Sequence, residues 1–227
     1  MRINSNKSVS KKDLKKNLIL KAAARVFAEK GYIDSSIKNI TDEASVSVGT
    51  FYTYFNNKEE VLEQIYEEIS NMSVKIVSNA SRYESSDENI VKKFTFGMAS
   101  VICMYMQNSE LSKILFVKPM GINEVFEKKR WQILDEINLY LKGILKHLKS
   151  EHLSYVNNLD VTSVIITQSI FGVIAYWLDG KISCDIKEII FSLCSYHLKA
   201  LNIRFSDEQV NNYITEIIDL GYEKFYE

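Results

Sequence analysis

Apolar residues recur at three- and four-residue spacing along most of the chain, beginning with Ile19, Ala22, Ala23, Val26 and Phe27. That period turns one face of a helix toward a core, so it predicts a first helix over 12–30, stopped by Gly31. Ser35 or Ser36 can cap a short second helix carrying Ile37, Ile40 and Ala44, which the small residues 45–47 interrupt. Ser47 caps a third helix through Phe55. Asn56 or Asn57 caps a long fourth, with Glu59 and Glu60 in a first turn where the helix dipole favours acid. Beyond Tyr83 the pattern predicts longer and more apolar helices near 87–107, 109–117, 123–149, 157–179, 185–202 and 206–226. Turn, cap and acidic residues at 85–89, 179–185 and 204–209 separate some of them.

Composition agrees with an all-α protein. Among 227 residues there are one proline and eight glycines, too few for the frequent turns a sheet needs. With 46% hydrophobic and 25% charged residues, the chain has ordinary globular composition, not that of a disordered one. Its net charge of -1 hides an asymmetry: residues 1–30 hold nine Lys or Arg against Asp13 and Glu29, a net of +7, which leaves -8 elsewhere. A basic N-terminus reads either as a solvated tail or, beside a small helical unit, as the approach to a polyanion. Cys103, Cys184 and Cys194 are odd in number and lie in apolar, helical-looking surroundings, which reads as buried thiols in a reducing compartment. The N-terminus lacks the apolar core of a signal peptide, and the longest apolar run, 164–178, falls short of a membrane span and contains Thr167, Gln168 and Ser169. The expected location is the cytoplasm, without a membrane partner.

The chemistry concentrates in "ASVSVGTFYTYFNNKEE" (44–60), which places four aromatic residues in five positions, Phe51, Tyr52, Tyr54 and Phe55. Two short helices joined by a three-residue turn form a helix-turn-helix pattern. A helix entering a major groove about 12 Å wide needs a slim leading face, which Val48, Gly49 and Thr50 supply. It must also be clamped from behind, and Phe51 and Phe55, four apart, can do that. Tyr52 and Tyr54 point elsewhere, where a phenol hydroxyl can donate to a phosphate oxygen and fix register without reading sequence. Lys58 and the first N–H groups of the fourth helix make a second phosphate site. No Arg, Asn or Gln lies between Val46 and Phe55. Thymine-methyl contact by Val48 or Thr50, with shape readout, therefore replaces bidentate readout of guanine or adenine.

The segment "ILKAAARVFAEKGYIDSSIKNITDEASVSVGTFYTYFNNKEEVL" (19–62) resembles the N-terminal domain of TetR-family transcriptional regulators. Thr41 stands where that family usually has Ala, and Ser45 where it usually has Gly. Because Gly suits a left-handed turn, Ser45 is expected to cost about 1 kcal/mol. The resemblance implies an N-terminal helix-turn-helix domain, 1–58, joined to a larger C-terminal helical domain, 59–227, that binds an effector and dimerises. It implies a homodimer on a palindromic double-stranded DNA operator, usually a repressor, with helices 157–179 and 185–202 forming the dimer interface. Carried over position by position, the DNA contacts are Ser36, Ser47, Val48, Gly49, Thr50, Tyr52, Thr53, Tyr54 and Lys58. Lys11, Lys12, Lys15 and Lys16 match the basic segment that reaches a minor groove or backbone.

In the C-terminal half, Phe96, Met104, Phe116, Met120, Trp131, Phe171 and Trp177 are core residues by their spacing. Together they also offer enough ring and thioether surface to line a pocket for an apolar or aromatic small molecule. Gln168, in an apolar helix, needs a partner for its amide, which is either a second copy or the ligand. Pro119, the one proline, marks either a hinge or an ordinary turn. No catalytic motif is found: there is no Gly-x-Ser-x-Gly, no His-Glu-x-x-His and no phosphate loop, since Ala175 stands where its first glycine belongs. The pairs Cys194/His197 and His147/His152 lack further metal ligands. The expectation is a non-enzymatic, cofactor-free regulator. The alternatives are a regulator of the same fold answering to a protein partner or to nothing, and a helical carrier or enzyme without DNA binding.

Overall fold

The computed structural model describes residues 11–82, 90–116, 124–151 and 154–221, and these contain ten α-helices and no strand. The helices are α1 (Lys11–Lys30), α2 (Ile37–Glu43), α3 (Val48–Tyr52), α4 (Lys58–Arg82), α5 (Ile90–Gln107), α6 (Ser109–Phe116), α7 (Glu124–Ser150), α8 (Leu159–Leu178), α9 (Ile186–Ala200) and α10 (Asp207–Leu220). Side-chain caps set five of the ten starts: Ser36, Ser47, Asn158, Asp185 and Ser206 each accept from a backbone N–H in the first turn they open. The third helix is shorter than the pattern predicts, because the Thr53 N–H turns back to Thr50 at 3.1 Å and closes it at Tyr52. The last helix stops at Gly221, whose φ of 76° leaves the helical region. Pro119, Met120 and His152 lie outside the described residues.

The chain forms two compact units, the first ending at Tyr66 and the second beginning at Glu67. The division falls inside α4 and not at its start, because Val61, Leu62, Ile65 and Tyr66 on its first turns are buried as part of the N-terminal unit. In that unit Ile19, Ala23 and Phe27 of α1, Ile40 of α2, and Phe51 and Phe55 are at most 1% exposed. An Arg25–Glu43 pair at 2.7 Å ties α1 to α2 on the outside. Thr41, in the place of the usual alanine, is buried with its hydroxyl donating to Lys38 O at 3.0 Å. Ser45 has φ 52°, the left-handed geometry expected where its side chain replaces the usual glycine.

In the C-terminal unit α5 is buried around most of its circumference, as its largely apolar sequence after Lys93 requires. It packs against α6, α8, α9 and α10, while α7 lies on α8. Cys103 and Cys194 are buried, and burial pushes their thiols up to about 11 and about 12. Cys184 departs from expectation, being half-buried in the loop before α9 and not within a helix. The apolar helix α8 is also longer than the run 164–178, and among the described residues it alone has the length and composition to cross a membrane.

His197 is 1% exposed, with Nε2 2.7 Å from Ser169 Oγ, and burial lowers its pKa from 6.5 to about 4. Ser45→Gly should raise the unfolding free energy by about 1 kcal/mol by removing a strained side chain, although glycine's freer unfolded state offsets part of the gain. An unchanged midpoint in thermal melts would contradict the strain. For His197 the folded chain refuses a proton that the unfolded chain accepts below pH 6.5. Its contribution is therefore complete above 6.5 and lost as pH falls toward about 4, by at most about 1.4 kcal/mol per pH unit. Urea melts of His197→Gln should accordingly show a shallower loss of stability than wild type over that range.

Candidate functional site

The recognition segment divides into two faces within two helical turns. Phe51 and Phe55 are 0% and 1% exposed, their ring centroids 5.8 Å apart, whereas Tyr52 is 55% and Val48 46% exposed. The Tyr52 ring stands edge-on to Phe51 at 5.6 Å, so its base is braced while its hydroxyl end faces solvent. Gly49 and Thr53 are exposed, and Thr50 and Tyr54 are half-buried. Ser47 Oγ accepts from Thr50 N–H at 3.1 Å and lies 2.9 Å from Thr50 Oγ1, while the Thr53 hydroxyl returns to Gly49 O at 3.1 Å. These small polar groups hold α3 in shape and leave its leading face slim.

Ser36 is exposed but engaged in a reciprocal capping box with Asn39. Lys15 is exposed, and the Lys16 ammonium lies 5.6 Å from the centre of the Phe55 ring, on the outer side of the same clamp. Lys11 and Lys12 occupy the first turn of α1, and their side chains lie outside what is described.

Lys58 is placed differently from the sequence expectation. Its ammonium donates to the carbonyls of Tyr32 at 2.7 Å, Ser35 at 2.8 Å and Ile33 at 3.3 Å, and lies 4.4 Å from the Tyr32 ring centre. Burial lowers its pKa, partly offset by Asp34. The start of α4 is also occupied: Asn57 Oδ1 accepts from Glu60 N–H at 2.8 Å, and Glu60 accepts from both nitrogens of Asn56. Here Lys58 serves first as a clamp on the α1–α2 connection.

A second feature lies wholly in the C-terminal unit. A cavity of about 510 Å³ opens between α5, α7 and α8, lined by Phe94, Met98, Val101, Ile137, Ile144 and Phe171 among others, with Lys93, Tyr140 and His147. Of the eight pocket residues expected from sequence, Phe171 lines it. Phe116 and Gln168 instead border a smaller cavity of about 170 Å³, which Phe171 also borders. Gln168 is exposed, so its amide is not a buried group in need of a partner within the chain. Phe96 packs in the core against Tyr213, and Met104 is 1% exposed and touches neither space. Trp131 is on the surface beside Arg130, and Trp177 donates to Cys184 O at 3.2 Å. The missed signal was Gly143: mid-helix glycine costs about 1 kcal/mol against alanine, and a Cβ there would meet nothing within 4 Å.

Phe171 connects this cavity to α4. It meets Tyr105 edge-on at 5.4 Å and stacks on Phe116 at 4.8 Å, and the fully buried Tyr105 hydroxyl lies 2.7 Å from Ser73 Oγ on α4. Among the described residues no group of three or more His, Cys, Asp or Glu side chains is placed to hold a metal ion.

With this geometry in place, the class is that of helix-turn-helix proteins with a separate helical domain. Residues 19–65 match the family described as bacterial regulatory proteins, tetR family. The fatty acid metabolism regulator protein of Bacillus subtilis is 32% identical over 124 residues, covering 52% of this chain and 63% of that one. The regulator YuxN of the same organism is 44% identical over 48 residues, covering 21% and 16%. The chain thus spans less than two thirds of the length of either curated relative. Among solved structures, the fatty acid degradation regulator FadR of Bacillus halodurans has a TM-score of 0.72 at 21% identity, covering 84% of this chain and 97% of that one. FadR of Bacillus subtilis in complex with stearoyl-CoA has a TM-score of 0.67 at 21% identity, covering 79% and 95%.

The Lys58 clamp can be tested by itself. Lys58→Met should cost roughly 1–2 kcal/mol, since half-buried carbonyls lose a charged donor that solvent only partly replaces. Unaltered urea unfolding of the variant would mean that the clamp contributes nothing.

Proposed function

We propose that the chain is a DNA-binding transcriptional regulator that acts as a homodimer. Each copy sets α3 in a major groove of a palindromic operator, and the protein leaves DNA, as a repressor does, when a largely apolar small molecule fills the cavity between α5, α7 and α8. The observation that carries this reading is the division of one short segment into the buried Phe51 and Phe55 and the exposed Val48 and Tyr52. The Tyr52 ring, braced at its base on Phe51 and held outward beside a slim polar turn, suits a phosphate backbone, and Val48 suits a groove floor. Lys15 and Lys16 add the cationic approach to the same unit.

The dimer reading rests on α8 and α9. Val161, Val164, Ile165 and Tyr176 on α8 and Tyr196 on α9 are exposed large apolar residues. Large apolar side chains left exposed along two neighbouring helices call for a cover. A second copy, packing the same two helices against its own, supplies it. The ligand reading rests on the cavity and its wall. Phe171 touches both the ligand space and Tyr105, and Tyr105 is bonded to α4, which continues into the DNA-binding unit. An occupant that favours one position of this chain of contacts by a few kcal/mol would shift α4 and hence DNA affinity. That a FadR structure of the same fold holds stearoyl-CoA supports an alkyl chain as the occupant.

Selection from a random duplex pool should yield a palindromic site whose affinity falls steeply with salt, the slope counting the phosphates neutralised. Tyr52→Phe should weaken binding about equally on all sequences, whereas Val48→Ala should change the preferred base. A Tyr52→Phe variant altered only in specificity would overturn the phosphate assignment, and failure to enrich any duplex at low salt would overturn the function.

A further inference from the structure

The cavity in the C-terminal unit has two chemically different ends. Helices α7 and α8 run antiparallel, held by a Lys142–Asp160 ion pair and by Thr167 Oγ1 donating to Asn138 Oδ1 at 2.7 Å. Tyr105, near the end of α5, meets Phe171 of α8, so the last turns of α5 lie beside the middle of α8 and the first half of α7. Lys93 on the first turn of α5 and His147 near the end of α7 consequently share the opposite end. Lys93 is about 12 Å along the helix from Val101, at 1.5 Å per residue. Between the two ends the lining is almost wholly aliphatic and aromatic.

At the polar end the chemistry is one-sided. Lys93 Nζ and the His147 ring have no hydrogen-bond or ion-pair partner among the described residues, and no Asp or Glu lines the cavity. Thr167 is already committed to Asn138, and Tyr140 lies about 10 Å along α7 from His147, nearer the middle of the space. A neutral oil filling this space would strip water from the half-buried Lys93 ammonium and return nothing to it. An anion would accept from Lys93, and from the exposed His147 ring at the rim, through charge-assisted bonds.

Given the reading of this cavity as the effector site, we infer that its ligand is an anionic amphiphile, bound with its alkyl chain toward Phe171 and its carboxylate or phosphate at Lys93, with His147 at the rim. The tail supplies affinity through buried methylenes. The head supplies selection between charged and uncharged chains of equal length.

The test is titration of the full-length protein with laurate, lauroyl-CoA and dodecanol, followed by calorimetry. Laurate or lauroyl-CoA should bind at least about tenfold more tightly than dodecanol, and Lys93→Gln should erase that difference while leaving dodecanol unchanged. From octanoate to dodecanoate, affinity should rise about fourfold per methylene. Preference for lauroyl-CoA over laurate would identify phosphates as the head group, and the reverse would identify the carboxylate. Gly143→Leu, which places a side chain in the open space, should abolish binding of all three. Dodecanol binding as tightly as both charged probes, equal weakening of all three by Lys93→Gln, or laurate binding undiminished in Gly143→Leu would each overturn the assignment. Dodecanol that binds equally and still releases operator DNA sinks the head-group assignment and leaves the regulator standing. Charge discrimination without any DNA binding does the opposite.

Discussion

The recognition segment depends on an attachment it cannot provide for itself. A helix of five residues, Val48–Tyr52, is far below the length at which helical hydrogen bonds repay the cost of nucleation. It exists because Phe51 and Phe55 are driven into the core formed by α1, α2 and the first turns of α4, each removing a full phenyl ring from water. Once those two rings are fixed, the remaining positions have no freedom. Val48, Gly49 and Tyr52 are presented outward by default, and the hydroxyls of Ser47 and Thr53 close the turn's own backbone groups while that of Thr50 bonds Ser47 Oγ. Rigidity of the candidate interface is thus borrowed from hydrophobic burial behind it. The Lys58 clamp on the carbonyls of 32, 33 and 35 extends that rigidity to the connection before α2.

The C-terminal unit meets a different demand, since it must be packed and yet keep a space. Its solution is a central helix, α5, buried around most of its circumference, with one stripe (Phe94, Met98 and Val101) turned toward a gap and not toward a neighbour. Gly143 on the facing helix borders the gap, and a Cβ there would meet nothing within 4 Å. The Tyr105–Phe116–Phe171 cluster closes its far end, and the Tyr105–Ser73 bond places a directional polar contact inside an otherwise apolar core. Apolar packing tolerates small slides, whereas a buried hydrogen bond has a narrow range of allowed geometry. A cluster that joins the two therefore transmits displacement more faithfully than aliphatic contacts would.

Much of the fold could be read along the chain because its causes are local. The period of Ile19, Ala22, Ala23, Val26 and Phe27, the caps at Ser36, Ser47, Asp185 and Ser206, and the left-handed strain at Ser45 act within a few residues of themselves. The outward Tyr52 and inward Phe51 follow from helical geometry alone. Lys58 was misplaced because its partners lie more than twenty residues earlier in the chain. The large cavity was misread because ring and sulfur content measures how much surface could line a pocket, not where helices fail to touch. Phe96 and Met104 fill the core, and Trp131 stays at the surface.

By itself, then, the chain's order of residues determined its helices, their starts and most of their ends, and the two-faced recognition segment, since hydrophobic period, capping and turn conformation are short-range. Tertiary structure alone decided which carbonyls hold Lys58, that Phe171 joins the cavity to α4, and that Lys93 and His147 line the same cavity. These pairings are set by how helices distant in sequence are laid against one another. That arrangement minimises exposed apolar area over the whole unit, a sum no local stretch of residues contains.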